Sequence, residues 1–356
     1  MRGLITRISV GFCFVLLVSC VCDVARAATI IRTVNASNND LGYDKTNNRF
    51  YVSRPSSAGA SGNSLQIIDP VAGALFGSPL FVGSEPNKIA VSDNGQYAYV
   101  GLDGAAAVRR VDLSSFTAGL QFLLGSDSFL GPFYVDDMEV MPGSPQTLAV
   151  SRRNQGFSPR HMGVGIYDDG VVRPTVTPTH TGSNVIEFGA NPSILYGYNN
   201  ETTDFGFRTM SINASGVTIT NSTAGLISGF GSDFDYGGGK VVSTTGKVID
   251  PVNRTLLGTL GSTGPVAVEP DGSRAYVLSG STINIYSLST FLSLGSIPVP
   301  GFAGTEVIRW GSDGLALRNA NQVVLVNSSL VPEPATAAIG LLPALAVALR
   351  RRPRAV

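Results

Sequence analysis

Residues Glu85 to Gly125 read EPNKIAVSDNGQYAYVGLDGAAAVRRVDLSSFTAGLQFLLG. The stretch predicts a strand over Lys88 to Val91, a turn at Ser92-Asp93-Asn94-Gly95 and a strand over Gln96 to Gly101. A loop follows, then a strand over Val108 to Asp112, a turn, and a last apolar strand over Leu120 to Leu124. The turns have a mechanism: Asp and Asn side chains bond backbone a few residues on, and Gly supplies positive φ. Four short antiparallel strands in about 40 residues describe one propeller blade.

The same order of parts recurs. Pro265 to Ile297 reads PVAVEPDGSRAYVLSGSTINIYSLSTFLSLGSI, with Pro270-Asp271-Gly272 in the first turn. Leu41 to Val82 carries LGYDKTNNRFYVS and LQIIDPVAGALFG. Aligning the second strand of each copy centres it at Tyr51, Tyr99, Ala149, Leu195, Val241, Tyr276 and Ala316, in steps of 48, 50, 46, 46, 35 and 40 residues. Third strands then fall at Leu65–Asp69, Val108–Asp112, Gly163–Asp168, Phe207–Ile212, Lys247–Asp250, Thr282–Tyr286 and Gln322–Val326. Several of them end in an Asp that opens a turn (Asp69, Asp112, Asp250). The copies near Leu148 and Leu195 are degenerate, which leaves six or eight blades open beside seven.

Closure supports seven. The last copy stops after three strands, and a lone strand, Thr29 to Val34 (TIIRTV), precedes the first copy. A propeller must join its ends or leave an edge that pairs with other chains. Thr29 to Val34 is therefore expected as the outer strand of the last blade. The fold class is all-β, a seven-bladed β-propeller over residues 28–330, with almost no helix because Gly and Pro punctuate the body. This body resembles the YVTN-type and other seven-bladed repeat propellers of bacterial and archaeal surfaces.

Both ends read as addresses. Arg2 and Arg7 precede an apolar run from Val10 to Cys22, and Ala25-Arg26-Ala27 offers small residues to a type I signal peptidase. Residues 1–27 are expected as a signal peptide, with cleavage between Ala27 and Ala28. Leu17-Val18-Ser19-Cys20 forms a competing lipobox, under which Cys20 would carry a lipid. The three cysteines, Cys13, Cys20 and Cys22, all lie in this leader, so a body starting at Ala28 holds no thiol.

Residues 331–356 divide into Val331-Pro332-Glu333-Pro334, a mostly apolar run from Ala335 to Leu349, and the basic Arg350, Arg351, Arg352 and Arg354. The run is short for a permanent span, and Pro343 interrupts it. This layout resembles the PEP-CTERM sorting signal of Gram-negative bacteria. The resemblance implies a single hydrophobic helix held briefly in the inner membrane. It also implies an exosortase, a cysteine transpeptidase-like membrane enzyme, as a processing partner beside signal peptidase. Val331 to Pro334 would be the motif and Arg350 to Arg352 the basic stop kept in the cytoplasm. The body would pass to the cell surface or extracellular matrix, in a setting linked to exopolysaccharide.

Chemistry is sparse. Residues 28–330 hold 18 basic and 23 acidic residues, a net of −5, which argues against nucleic acid and anionic lipid. His161 and His180 are expected as solvated loop residues, and no HExxH, G-x-S-x-G or Walker loop is present. Asp136-Asp137-x-Glu139, Asp168-Asp169 and Asp233-x-Asp235 are carboxylate clusters, and the last would suit calcium in a flexible loop. Adjacent acids on a strand point to opposite faces and make no dyad by themselves. Arg109, Arg110, Arg152, Arg153, Arg160 and Arg173 would suit an anionic ligand if blades brought them to the channel mouth. Trp310 is expected to pack a blade.

The expectation is a non-enzymatic binding or scaffold module with no catalytic residues and no cofactor, calcium being the alternative. Its surface ligand would be a polysaccharide or a protein. The competing function is a secreted lactonase or lyase, which needs acidic residues converging on one channel end. Mass spectrometry of the surface-exposed protein should find Ala28 as its first residue and no peptide covering Arg350 to Val356. A lipidated Cys20 start, or a retained tail, would refute the corresponding reading.

Overall fold

The computed structural model describes residues 29–180 and 182–331. Cys20, Ala25, Ala27, Ala28, Pro332, Glu333, Pro334, the span 335–349, Arg350, Arg351 and Arg352 lie outside the described residues.

Seven four-stranded antiparallel sheets succeed one another, each built in chain order except the last. Blade 1 runs Asp40–Asp44, Arg49–Arg54, Ser64–Asp69 and Ala74–Phe81. Blade 2 runs Pro86–Val91, Tyr97–Leu102, Ala107–Asp112 and Thr117–Leu123. Blade 3 has Tyr134–Val140, Thr147–Arg153, His161–Asp168 and a stub, Val171–Val172. Blade 4 has Val185–Phe188, Ile194–Tyr198, Phe207–Asn213 and Gly216–Thr223, and blade 5 has Phe234–Gly237, Lys240–Ser243, Lys247–Asp250 and Thr255–Thr259. Blade 6 has Val266–Val268, Arg274–Ser279, Thr282–Ser287 and Ser293–Pro298. Blade 7 takes Glu306–Trp310, Gly314–Asn319 and Gln322–Ser328, then closes with Thr29–Asn35. The fold is an all-β seven-bladed propeller, which resolves the blade count left open by the degenerate copies. Every expected second-strand centre falls on a second strand. The only helix among the described residues is a 3-10 turn at Ser56–Ser61, and none is long and apolar enough to cross a membrane.

The alternation of strand side chains explains the core. Successive residues of a strand face opposite sides of the sheet. Each middle strand therefore feeds two junctions, and a separate apolar cluster fills each junction. In blade 2, Ala98 and Val100 face blade 1, while Tyr99 and Val108 pack with Met138 and Val150 of blade 3. Tyr51, Tyr99 and Tyr276 are each at most 1% exposed. Burial of such side chains contributes roughly 1.5–3 kcal/mol apiece.

Turn chemistry follows the sequence. Asp69 Oδ1 accepts from the backbone N–H of Val71 (2.8 Å) and Ala72 (2.9 Å), and Asp250 Oδ1 does the same for Val252 and Asn253 (both 2.9 Å). Gly95 closes its turn at φ 67°, in the left-handed region where a side chain is strained.

The seam pairs Thr29 with Ser328 through to Asn35 with Gln322. Val34 is its apolar anchor. It is 4% exposed and joins Trp310 and Leu325 of blade 7 to Leu41, Phe50 and Ile68 of blade 1. Trp310 thus packs a blade junction, edge-on to Phe50 at 6.1 Å. Val34→Ala should cost about 1–3 kcal/mol, a fall of several degrees in Tm. Ile30→Thr, at the exposed start of the same strand, should leave Tm nearly unchanged. Equal effects in thermal melts would show that the seam is not anchored through Val34.

Candidate functional site

The inner strands bury one face in the junctions and turn the other toward the propeller axis. There they line a channel of about 450 Å³. Asp137 and Glu139 of blade 3, two apart, both face it, and Met138 between them is 2% exposed in the core. Asp40, Glu187, Asp233, Asp235 and Glu306 line the same space from blades 1, 4, 5 and 7, and Lys88 enters from blade 2. Blade 6 contributes only Val266, Ala267 and Val268 from its inner strand. A second space of about 410 Å³ adjoins this one at Asp233 and Glu306 and reaches Thr244, Gly264 and Thr305. The connections after the second strands of blades 5, 6 and 7 are short (244–246, 280–281 and 320–321), whereas 55–63 and 199–206 in blades 1 and 4 are long. The mouth therefore opens over blades 5 to 7.

Three of these acids also hold neighbouring blades together. Asp40 Oδ2 accepts from Ile89 N–H (2.7 Å), Asp137 Oδ2 from Ile186 N–H (2.8 Å) and Asp235 Oδ2 from Val268 N–H (2.6 Å). These bonds cross the junctions from blade 1 to 2, 3 to 4 and 5 to 6. Lys88 Nζ lies 3.9 Å from Asp137. Arg318 bonds Glu306 (2.5 Å) and stands 3.9 Å from Asp40. Among the described residues no hydrogen bond is found for the side chains of Glu139 and Glu187, and both remain partly accessible through the channel.

The electrostatics follow from crowding like charges in a narrow space. Partial desolvation lifts Asp137 to about 7, with Lys88 opposing and Asp233 reinforcing the rise. Desolvation also lifts Asp235 to about 7, and Glu306 to about 7 with Asp40 adding and Arg318 opposing. Glu139 and Glu187 rise well above the usual range through desolvation and then through neighbouring carboxylates. Desolvation disfavours the Lys88 ammonium, but Asp40, Asp137, Asp233 and Glu306 outweigh it and hold its pKa above normal.

Several sequence expectations need correction. Asp235 does not sit in a flexible loop: it lies on Phe234–Gly237, the inner strand of blade 5, with Asp233 directly before that strand. Asp235 is engaged by backbone, its Oδ1 accepting from Tyr236 N–H at 2.8 Å. Among the described residues, no group of three or more His, Cys, Asp or Glu is arranged to hold a metal ion. His161 is not a solvated loop residue. It opens the third strand of blade 3 at 0% exposure. Burial first, then Arg208, Arg152 and Arg160, lowers its pKa to about 3. Its Nδ1 is 3.5 Å from Ser151 Oγ.

The condition for an anion site among the arginines is not met, since four of them are paired. Arg110 pairs with Asp169, Arg153 with Asp103, Arg160 with Asp136 and Arg173 with Asp168. Arg152 is 7% exposed and points to the Gly163 carbonyl at 3.3 Å. Asp136 points away from the channel that takes Asp137, as strand alternation requires. It ties Arg160 (3.1 Å) and Asn184 (3.0 Å) together at the edge of the mouth.

Asp40, Lys88, Glu187 and Glu306 were missed by sequence reasoning as site residues. The signal was positional. A charged residue stands on the first strand of six of the seven copies, in an alternation that otherwise buries its neighbours.

No family model and no curated protein matches the chain. Among solved structures it is similar to the hydrazine synthase of Kuenenia stuttgartiensis, with a TM-score of 0.63 and 13% identity over 83% of this chain and 97% of that one. At that identity the likeness is one of fold.

The carboxylates predict a pH dependence. A carboxyl whose folded pKa lies above its unfolded value of about 4 binds more protons when folded, so its stabilisation is present below that value and lost as pH rises through about 7. Tm should therefore fall from about pH 5 to pH 8, by an amount moderated by solvent in the channel. Over that range the five raised carboxyls outweigh His161, whose lowered pKa works the other way up to about pH 6.5. Glu139→Gln with Glu187→Gln should flatten that slope. A Tm that rises over this range would overturn the electrostatic description.

Proposed function

We propose that the chain is an exported binding module, sorted to the cell surface through a PEP-CTERM-type tail and built on a YVTN-like propeller, whose ligand is a cation taken into the axial channel. The observation that carries this reading is the lining itself: seven carboxylates converge on one solvent-accessible space against Lys88 and Arg309 in the lining, Arg309 being paired with Glu269, and Arg318 beside Glu306. A cleft lined by one sign of charge between low-dielectric walls focuses its field and concentrates counter-ions. The space suits an elongated amine or a basic side chain better than a bulky neutral ligand. The sorting part rests on the sequence pattern at residues 331–356, and polysaccharide or protein as the wider partner stays within it: an amino sugar or a lysine-bearing segment has the required charge.

A second reading, the secreted lactonase or lyase, draws on the same lining. Carboxyls lifted to about 7 are suited to proton transfer near neutral pH. Turnover of a lactone substrate that vanishes in Glu139→Gln would favour it over binding alone.

Titration with spermidine, followed by calorimetry, tests the proposal. We expect saturable binding that weakens with salt and falls by about tenfold or more in Glu139→Gln/Glu187→Gln. Lys88→Met should tighten it by removing the internal competitor. Absence of saturable binding, or binding indifferent to all three substitutions, would sink the cationic-ligand reading.

A further inference from the structure

The connections that enter the inner strands and those between second and third strands share one face of the disc, the face on which the mouth opens. Over blades 3 and 4, four of them join into one ridge. Residues 124–133 lead into blade 3 and carry Phe129, and 154–160 within blade 3 carry Phe157. Residues 199–206 within blade 4 carry Phe205, and 224–233 lead into blade 5 and carry Phe230. The rings meet in two pairs, Phe129 with Phe157 at 5.8 Å and Phe205 with Phe230 at 4.9 Å between centroids. Backbone bonds set each loop. Asp127 Oδ1 accepts from the N–H of Phe129 (2.8 Å) and Leu130 (2.9 Å), and Asn154 Oδ1 accepts from Phe157 N–H (3.0 Å). Gly231 N–H donates to the Asn200 carbonyl (2.9 Å), and Asn200 Nδ2 to the Ser232 carbonyl (3.1 Å). Glu201 accepts from Arg160 N–H and, at 3.1 Å, from Asn184 Nδ2, so the loops of blades 3 and 4 are bonded to each other. The ridge borders the mouth: Arg160 bonds Asp136 at its edge, and Gly231, next to Phe230, lines the second space.

Phe129, Phe230 and Phe157 are 81%, 65% and 48% exposed. Among the described residues, every other exposed large apolar side chain except Val176 lies on an outer strand or in the turn before one. Paired apolar rings held out by ordered loops mark an interaction surface. We propose that this ridge and the acidic mouth beside it form one docking surface for a protein segment. Apolar side chains of the partner seat on the two phenylalanine pairs, and a lysine or arginine of the same segment enters the channel. The basic residue rests on the channel reading above; the apolar part rests on the ridge. Three features favour a protein over a glycan. The paired rings are inclined at 46° and 68°, so they form notches for side chains and no flat platform for a sugar face. Phenylalanine has no O–H or N–H to offer a sugar hydroxyl. The loops around the rings read SDSFLGPF, NQGFSP and ISGFGS, aromatic anchors among Ser, Gly and Asn, the mixture that binding loops present to protein surfaces. The order of the ridge is present before binding, so a partner does not have to fix it. Negative charge in the channel supplies the complementarity that sets orientation.

Selection of a displayed library of random dodecapeptides on the full chain tests the docking surface. We expect enriched sequences to carry a lysine or arginine flanked by leucine, methionine or aromatic residues. A synthetic peptide of that consensus should bind about tenfold or more weaker to Phe129→Ser/Phe230→Ser. The Tm of that variant should stay near that of the unaltered chain, because both rings are exposed. Spermidine should bind it as before, whereas Glu139→Gln/Glu187→Gln should weaken peptide and spermidine alike. No enriched consensus, or peptides that bind the phenylalanine variant unchanged, would overturn the docking surface. A glucosamine oligomer bound through the same phenylalanines in place of any peptide would overturn the choice of partner. Apolar peptides that need the phenylalanines but hold no basic residue would uphold the ridge and refute the channel's part in docking. If spermidine also fails to bind, the cationic reading falls while the ridge stands.

Discussion

The antiparallel ladder between Thr29–Asn35 and Gln322–Ser328 is the constraint on which this fold depends. A series of seven wedge-like sheets buries its apolar faces only if the last meets the first. Without the ladder, blade 7 would end on an unpaired strand, and the cluster of Val34, Leu41, Phe50 and Trp310 would lose the valine. The seam joins residues almost the full length of the domain apart; Thr29 Oγ1 and Ser328 Oγ are 3.0 Å from each other. No disulfide shares this work, because the sequence has no cysteine after Cys22. Closure is held by a hydrogen-bonded ladder and the packing behind it.

Closing the ring has an electrostatic consequence at its centre. Seven inner strands run side by side about one axis, and alternation forces half of their residues to face it. Blade 6 shows the apolar solution, with Val266 to Val268 at the wall. The other six blades place charges there instead, at a cost in folding free energy. Like charges in a confined space repel, and buried ionic groups are often less stabilising than apolar ones of the same shape. Part of the cost is offset locally: Asp40, Asp137 and Asp235 each bond a neighbouring blade's backbone N–H, and Lys88 and Arg318 bring positive charge. Glu139 and Glu187 have no such structural employment. A fold that needed only closure would not require them, and this is the physical reason to look for function at the axis.

The fold was legible because its determinants are local. Asp69, Asp112 and Asp250 announce turns through bonds spanning two or three residues, and the strand alternation around Tyr51, Tyr99 and Tyr276 survives divergence of the loops. Even the seam could be read, since three strands at one end and one at the other leave a single solution. The site was legible only in fragments. Asp137 and Glu139 stood out as a pair, but their partnership with Asp40, Glu187 and Glu306 exists only once the blades curve into a ring. His161 was misread, and the partners of the arginines stayed unread, for the same reason. Whether a histidine is solvated, or an arginine already paired, depends on what another blade brings beside it, as Arg208 does for His161 and Asp103 for Arg153.

Closure and charge are coupled through the same strands. The acid-to-backbone bonds cross three junctions (1–2, 3–4 and 5–6) and leave the 2–3, 4–5, 6–7 and 7–1 junctions to other means. At 7–1 the means is the N-terminal strand with Val34. At 6–7 it is the fold-back of Leu330 and Val331 into the junction, beside the buried pair of Glu269 and Arg309 at 2.7 Å. Two of the four junctions without an acid staple are thus ones that the chain's own ends reinforce. Protonation or a bound cation would act on the first group of junctions by relieving repulsion at the axis, but would leave the terminal clasps untouched. Occupancy of the channel and integrity of the ring are therefore separable, and a ligand could alter the first without the ring having to open.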